Sequence, residues 1–328
     1  GINSISIRKH AARLVIRGTN EAERAARACA RVFGVAYAAP AVAVHASMED
    51  IVEAIDQLAG RVLGDGKSFA IRAHRSTPSP IDRRQVEVQA GTEVLRALAT
   101  RKVRVDLRNP DITIHVDLAD QWAYVYHEKF EGPAGLPPSS RWKLLAVLDS
   151  GPLTVLATYA VMRRGCLTEL FMPISSTIPS FAEQSQLLWA RRIRGLVSRT
   201  KYRVFIINLD SVLGDRSAID DVKDVKPLAR MAALRFAKQR KFRGIVFSDV
   251  FGRLADFANA ADFAGGYPVP FYPLIGLNKE DLVDMNKRLG LAEDELLKYG
   301  LSSHSRRTEA ALSLDVGLAN IAPQELLL

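Results

Sequence analysis

Four continuous apolar runs, separated by helical segments, constrain the fold of the second half of this chain. The runs are Lys143–Leu148, Thr168–Met172, Tyr202–Asn208 and Arg243–Ser248, and the helical segments are Val155–Arg163, Phe181–Arg199 and Pro227–Gln239. A strand that is apolar along its whole length is buried on both faces, and strands that alternate with helices form parallel sheets. We therefore predict an α/β domain over residues 141–328, with a mostly parallel sheet between two layers of helices.

The turn after the first of these strands has the composition of an anion-binding loop. The segment Leu144–Cys166 reads as an apolar strand, a Ser-Gly-Pro turn and a helix. The first N–H groups of a helix point outward without backbone partners, so a glycine turn before them can hold a phosphate. A plain strand-to-helix turn is the alternative, because Gly and Pro there need no ligand. The candidate nucleotide-binding residues are Asp149, Ser150, Gly151 and Thr154.

The first part of the chain predicts two smaller α+β units and a linker. Residues 1–46 read as strand, helix, strand, and residues 47–131 read as two helices and three strands. Residues 132–140 contain two Gly, three Pro and two Ser, which is typical of a linker.

Both helices of residues 47–131 have a recognisable apolar face. Ser47 is a good N-cap for a helix that runs through Leu63, and its predicted buried residues are Ile51, Ala54, Ile55 and Leu58. The second helix covers Arg84–Ala99, and its predicted buried residues are Val88, Val94, Leu95 and Leu98.

The charge of the chain favours a polyanionic partner. The net charge is +9 and the isoelectric point is about 9.6, which suits a protein that neutralises nucleic-acid phosphates. The candidate RNA-binding residues surround a Pro-containing turn or follow it, and they are Arg72, Arg75, Arg83, Arg84, Lys102 and Arg104. A solvated basic surface is the alternative. Two further basic runs, Arg191–Arg203 and Arg230–Arg243, contain no acidic residue and also favour RNA.

Other kinds of site are not indicated by the sequence. No pattern of His, Cys and carboxylate residues has the spacing of a metal site. No candidate nucleophile has a general base that the sequence identifies, so we name no catalytic residue. No apolar run reaches the roughly 20 residues that span a bilayer. The two cysteines, Cys29 and Cys166, show no disulfide framework, so we predict a cytoplasmic protein.

Five short segments occur in an order that matches one known family. They are Lys67–Arg75 (KSFAIRAHR), Val105–Leu107 with Asn109–Asp111, Gly135–Pro137, Val161–Gly165 (VMRRG) and Tyr272–Asp281 (YPLIGLNKED). In this order they resemble the ThiI family of tRNA 4-thiouridine synthetases. The resemblance implies a partial ferredoxin-like domain over residues 1–46, a THUMP RNA-binding domain over 47–131 and a Rossmann-like PP-loop domain over 141–328. It also implies that the THUMP domain grips the acceptor end of tRNA.

Three departures from the family pattern concern catalysis. The family loop S-G-G-x-D-S appears here as Asp149–Thr154, so that Leu153 stands in place of an Asp that is functional in the active enzymes. A second family segment appears as Ser248–Phe257, where Arg253 and Asp256 replace a Gln and a Ser. The family carries sulfur on a cysteine persulfide after YPLIGLNKED, whereas this chain has Ser302, Ser303 and Ser305 there and no Cys beyond Cys166.

We therefore expect a tRNA-binding THUMP protein related to ThiI that lacks full sulfurtransferase activity. It would require no cofactor, and its binding of ATP would be weak or lost. The alternative is an ATP-dependent tRNA sulfurtransferase that makes 4-thiouridine with an external sulfur donor. The expected partner is tRNA, and a homodimer or a complex with another tRNA-modifying enzyme would be compatible with the sequence.

Overall fold

The computed structural model describes residues 5–10, 13–18, 20–77, 81–149, 151–176, 178–197, 202–213, 226–250, 266–292 and 324–327. The chain divides into two compact units. Unit 1 comprises residues 1–30 and 35–132, and unit 2 comprises residues 31–34 and 133–328. The predicted domain boundaries at residues 46, 131 and 140 stay predictions.

Unit 1 is built on a five-stranded mixed sheet. Its elements are β1 (Ser6–His10), β2 (Arg13–Arg17), α1 (Ala22–Cys29), β3 (Tyr37–Ala38), β4 (Val42–His45), α2 (Met48–Val62), β5 (Ser68–Arg75), α3 (Arg83–Ala97), β6 (Arg104–Val105), β7 (Ile112–Ala119), β8 (Trp122–Tyr126) and β9 (Phe130–Glu131). The sheet order is β4-β8-β7-β5-β6, while β1 pairs with β2 and β3 with β9. Strand β5 is parallel to β6 and β7, and the other pairs in this sheet are antiparallel.

Helices α2 and α3 cover one face of this sheet, and the core of unit 1 lies between the helices and the sheet. The Ser47 hydroxyl accepts a hydrogen bond of 3.1 Å from the Asp50 N–H, which confirms the predicted cap. The predicted apolar face of α2 is also confirmed, because Ile51, Ala54, Ile55 and Leu58 are all buried. These side chains pack with apolar residues of β5, β7 and β8.

The predicted buried face of α3 is wrong in two positions. Val88 is 61% exposed and Leu95 is 39% exposed, although Val94 and Leu98 are buried as predicted. The buried face runs instead through Val86, Ala90 and Val94, at the spacing of four residues that one helix face requires. Two of the buried positions, Ala90 and Gly91, are small residues, so the larger apolar residues did not identify the packed side.

Unit 2 is an α/β domain, as predicted. Its elements are β10 (Leu136–Val147), α4 (Pro152–Arg163), β11 (Arg164–Ile174), α5 (Glu183–Gly195), β12 (Arg203–Asn208), α6 (Leu209–Leu213), α7 (Lys226–Gln239), β13 (Gly244–Val246), β14 (Val269–Phe271), α8 (Lys279–Arg288) and β15 (Gln324–Leu327). The sheet order is β14-β13-β10-β11-β12-β15. Five strands are parallel and β15 is antiparallel to β12. Residues 136–140, within the predicted linker, lie in the first part of β10.

Both faces of this sheet are covered, which explains the continuous apolar strands. Leu144 and Ala146 of β10 pack with α4, α5 and α8, whereas Leu145 and Val147 pack with α7 on the opposite face. The chain passes from β10 through α4 to β11 on one side, while β13 lies on the other side of β10. Ligands of open parallel sheets bind at the carboxyl ends of strands where the order reverses in this way. Among the described residues, no helix is both long and apolar enough to cross a membrane.

Candidate phosphate loop and nucleic-acid interface

The loop between β10 and α4 turns sharply at Gly151. Gly151 has φ +51° and ψ −116°, a conformation that suits glycine, and Pro152 then begins the helix. The Thr154 N–H donates to the Gly151 carbonyl at 3.1 Å, and the Thr154 hydroxyl donates to the Val147 carbonyl at 3.3 Å. The Leu153 side chain is 3% exposed and belongs to the core, so it does not face a ligand. Ser150 lies outside the described residues.

A buried ionic network follows the carboxyl ends of β10 and β13. The Asp149 carboxylate accepts a hydrogen bond of 2.8 Å from the Ser248 hydroxyl and one of 2.7 Å from Arg230 Nε of α7. The same guanidinium donates through Nη2 to Asp249 Oδ1 at 2.9 Å. Arg230 is 15% exposed, and both carboxylates are buried. Arg230 therefore bridges the two strands through their carboxylates.

The network stabilises the charged forms of Asp149 and Arg230. Burial alone raises the pKa of Asp149, but the positive charges of Arg230 and Lys226 outweigh it and hold that pKa below its usual range. Burial alone lowers the pKa of Arg230, but the charges of Asp149 and Asp249 outweigh it and raise that pKa. Asp149 and Arg230 consequently remain ionised near neutral pH, although both are largely removed from water.

Two stacked rings line the same edge. The Phe247 and Tyr272 rings lie 5.5 Å apart, and the Arg230 guanidinium lies 5.0 Å from the Phe247 centroid. Burial, together with the charge of Asp249, raises the pKa of the Tyr272 hydroxyl. Tyr272 begins the YPLIGLNKED segment, so this segment and the strand-end carboxylates meet at one edge of the sheet.

The described residues around the loop can be compared with the groups that bind phosphate. A phosphate is best met by guanidinium groups and free N–H donors. Here Arg230 is already engaged by two carboxylates, Pro152 has no N–H, and Leu153 is apolar and buried. Gly151 has a positive φ and immediately precedes the helix.

Arg230 was not among the predicted site residues, although it lies in one of the acid-free basic runs. It is 81 positions from Asp149, and no local spacing relates the two. The sequence could have indicated Arg230 only if two features had been considered together. One is a basic residue on a predicted helix, and the other is an Asp at the end of a predicted strand that packs beside that helix. Among the described residues, no group of three His, Cys, Asp or Glu side chains could hold a metal ion.

Unit 1 separates the six predicted RNA-binding residues into two groups. Arg75 ends β5, and Arg83 and Arg84 begin α3, whose Glu87 carboxylate accepts a 2.9 Å hydrogen bond from the Ala73 N–H near that end. Lys102 and Arg104 lie at the opposite end, because Arg104 pairs in register with Ser68. Arg75 lies seven residue steps along the strand from Ser68, so the two ends are about 23 Å apart. Arg72 lies between the groups, and its guanidinium donates to the Leu107 carbonyl.

The sheet face opposite the helices carries, beside Arg72, the two aromatic residues His115 and Tyr126, which were not predicted as site residues. Arg72 pairs with His115, which pairs in turn with Tyr126, so the three share one face. The His115 and Tyr126 rings stack at 5.2 Å, and Lys129 Nζ lies 5.8 Å from the Tyr126 centroid. Burial lowers the pKa of His115, and the charge of Lys129 acts in the same direction. The alternation of polar and apolar residues along β7 could have identified this face.

The Asn109–Asp111 segment has a structural role in unit 1. The Asp111 carboxylate accepts hydrogen bonds of 2.8 Å from both the N–H and the hydroxyl of Ser68. These bonds, with one from Lys67, lower the pKa of Asp111 to about 2. These bonds connect the first residue of β5 to the residue that precedes β7. The Lys67–Arg75 and Asn109–Asp111 segments of the family resemblance are therefore in contact.

Comparison with known families assigns both parts of the chain. The THUMP domain model matches residues 45–128, and the model described as thiamine biosynthesis protein (ThiI) matches residues 140–304. A Saccharolobus solfataricus protein named "Probable tRNA sulfurtransferase" is 25% identical over 311 residues, which cover 92% of this chain and 81% of that protein. A Thermoplasma volcanium protein named "tRNA sulfurtransferase" is 28% identical over 293 residues, which cover 85% of this chain and 58% of that protein.

Solved structures show the same fold. A Pyrococcus horikoshii crystal structure is 24% identical and has a TM-score of 0.64, with 88% of each chain covered. The crystal structure of a 4-thiouridine synthetase–RNA complex with bound ATP is 17% identical and has a TM-score of 0.68, with 89% of this chain and 78% of that chain covered. Since the ThiI model alone spans half of the sequence and follows a THUMP domain, this chain belongs to the ThiI family.

Proposed function

We propose that this chain binds tRNA through its THUMP domain and takes part in the transfer of sulfur to tRNA. The observation that carries the proposal is the pairing of a THUMP domain with a ThiI domain in a chain of net charge +9. The exposed group formed by Arg75, Arg83 and Arg84 supplies the phosphate contacts. Dimerisation and a partner enzyme stay predictions.

Sulfur transfer by the chain itself is supported by its relatives, which are named "tRNA sulfurtransferase" or "Probable tRNA sulfurtransferase". The sulfur would come from an external donor, because the sequence has no Cys beyond Cys166. Burial raises the pKa of the Cys166 thiol, and a thiol with a raised pKa is a poor sulfur nucleophile. ATP would supply the activation of the tRNA base.

A second candidate, tRNA binding without sulfur transfer, is favoured by the loop after β10. Leu153 belongs to the core, and Arg230 is engaged by Asp149 and Asp249. Neither residue is presented to a nucleotide in that arrangement. The two candidates share tRNA binding and differ only in chemistry.

Formation of 4-thiouridine tests the choice between them. The purified chain is incubated with unmodified tRNA, ATP-Mg and a sulfide source, and the nucleosides are analysed by mass spectrometry. ATP-dependent 4-thiouridine supports the sulfurtransferase, and its absence, where an active family member makes it, supports binding alone.

The contact surface is tested separately by tRNA titration. We expect Arg83→Ala with Arg84→Ala to weaken tRNA binding by about tenfold, because two phosphate contacts are lost. The matched control is Arg24→Ala with Arg61→Ala, which removes two exposed charges from α1 and α2. Equal losses in both variants would contradict the assignment to this end of unit 1.

A further inference from the structure

The amino ends of the parallel strands in unit 2 gather a second set of cations and exposed aromatic rings. Parallel strands all begin at one edge of the sheet, opposite the edge that holds Asp149. We call this set the amino-edge strip, and it consists of Trp142, Lys143, Arg203, Lys241, Arg243 and Tyr267. These residues lie at or just before the amino ends of β12, β13 and β14, or in β10 at the corresponding level.

Hydrogen bonds and ion pairs make the strip continuous across neighbouring strands. The Arg243 N–H donates to the Lys143 carbonyl at 3.1 Å, and the Val269 N–H donates to the Arg243 carbonyl at 3.0 Å. Lys143 and Arg203 flank Glu169 of β11, with N–O distances of 2.9 Å and 3.7 Å. The sequence contributes no acidic residue between Pro227 and Ser248 or between Ser185 and Asn208. The positive charge of the strip is therefore offset only in part.

Lys241 occupies a position that normally favours glycine. The Phe242 N–H donates to the Ala237 carbonyl at 2.9 Å and the Lys241 N–H donates to the Lys238 carbonyl at 3.2 Å, which is the Schellman arrangement at the end of α7. Lys241 has φ +54° there, in the left-handed region. A side chain in this conformation carries a steric cost, and strained residues of this kind occur at functional sites. A lysine at this position suggests that its charge has a use.

The strip also presents aromatic rings to solvent. Trp142 is 52% exposed and Tyr267 is 57% exposed. The Arg243 guanidinium lies 5.2 Å from the Tyr267 centroid. Proteins bind unstacked bases on exposed aromatic rings and hold the adjoining phosphates with cations. A surface that was merely solvated would need the charges but not the rings.

We propose that the amino-edge strip is a second RNA-binding surface, located on unit 2. Lys241 and Arg243 would contact backbone phosphates, and Trp142 would stack on an unpaired base. The inference rests on the proposed binding of tRNA, and it adds a contact that the THUMP domain does not provide.

The Lys241→Gly variant separates a role in folding from a role in binding. Glycine relieves the backbone strain, so the unfolding midpoint should stay close to that of the wild type or rise. Affinity of the full chain for tRNA should nevertheless fall by about threefold at low salt, because a phosphate contact is lost. A lysine that served only the helix terminus would give unchanged tRNA affinity, and that result would overturn the proposal.

Two further variants test the charges and the ring. Lys241→Gly with Arg243→Ala should weaken tRNA binding by about tenfold and lower the slope of log K against log salt by about two. Trp142→Ala should weaken binding by about fivefold and leave the slope unchanged, because stacking releases few counterions. The matched control is Lys287→Ala with Arg288→Ala, which removes two exposed charges from α8.

The outcomes distinguish this proposal from the proposed function. If the wild type does not bind tRNA, the proposed function fails. If it binds and the strip variants bind as tightly as the α8 control, only the strip is excluded. Binding of the wild type to vesicles of anionic phospholipid that the strip variants lose, with tRNA affinity unchanged, would assign the surface to a membrane and overturn the proposal.

Discussion

At the scale of single residues, Arg230 determines the character of the strand-end site. A buried carboxylate is tolerated only when an opposite charge and hydrogen bonds compensate the loss of water. Arg230 provides this compensation for Asp149 and Asp249 together. Removal of this one side chain would therefore leave two buried carboxylates that repel each other without the guanidinium between them.

Replacement of Arg230 should destabilise unit 2 strongly. We expect Arg230→Met to lower the free energy of unfolding by about 3–5 kcal/mol, because it leaves buried charges without a partner. Urea denaturation monitored by circular dichroism measures the effect. Arg235→Met, an exposed substitution on the same helix, is the control, and a similar loss in both variants would disprove the role of the network.

Asp149 should make stability depend on acidic pH. Its pKa is lowered by folding, so its stabilising contribution is present above the ordinary carboxylate pKa and is lost as the pH falls toward the lowered value. Urea denaturation from pH 6 to pH 3 should therefore show a steeper decline in the wild type than in Asp149→Asn. Parallel declines would show that Asp149 has an ordinary pKa.

At the scale of elements, α3 shows what an apolar pattern can and cannot establish. The pattern located the helix, and the Asp82 carboxylate caps it through hydrogen bonds to the N–H groups of Arg84 and Gln85. It assigned Val88 and Leu95 to the wrong side, because the buried face includes the small residues Ala90 and Gly91. Small residues carry little hydrophobic signal, so tertiary packing decided the face.

A matched pair of valines in α3 tests this packing. Val94→Ala should lower the free energy of unfolding by about 2 kcal/mol, since it removes buried methyl groups and leaves a cavity. Val88→Ala should change it by less than about 0.5 kcal/mol, because Val88 is exposed. The comparison uses urea denaturation of both variants, and equal effects would reinstate the face predicted from the sequence.

The short segments of the family resemblance also acquire a physical meaning at this scale. Gly135 has φ +76°, and a Cβ there would lie 2.0 Å from the Arg163 carbonyl oxygen. Gly165 has φ +84°, and a Cβ there would lie 3.0 Å from the Pro137 carbonyl oxygen. The Gly135–Pro137 and Val161–Gly165 segments therefore pass each other at backbone distance. The close approach explains glycine at both positions by packing alone.

At the scale of the whole molecule, the sequence predicted the parallel sheet but not the place of residues 31–34 in unit 2. Continuous apolar strands require a sheet covered on both faces, and this requirement is local in the sequence. The assignment of residues 31–34 to unit 2 depends on distant partners, such as the 3.1 Å hydrogen bond from Arg31 to the Gly195 carbonyl. Contacts between residues so far apart leave no local pattern, and the Arg230 network was missed for the same reason.

Phe33 should behave as a core residue of unit 2 despite its place in the sequence. It is buried, and its ring lies 5.7 Å from that of Tyr159 in α4. We expect Phe33→Ala to cost about 3–5 kcal/mol and to accelerate hydrogen exchange in β10 and β11 but not in β5 and β7. Faster exchange confined to β5 and β7 would place Phe33 in unit 1.

The four residues from Arg31 to Gly34 have a practical consequence for recombining members of the family. A chimaera that joins unit 1 of one relative to unit 2 of another at a single point near residue 132 would import four foreign residues into unit 2, one of them into its core. The foreign side chain at position 33 would then have to fit a cavity shaped for Phe33. Domain exchange in this family therefore needs three junctions, with residues 31–34 inherited from the parent of unit 2.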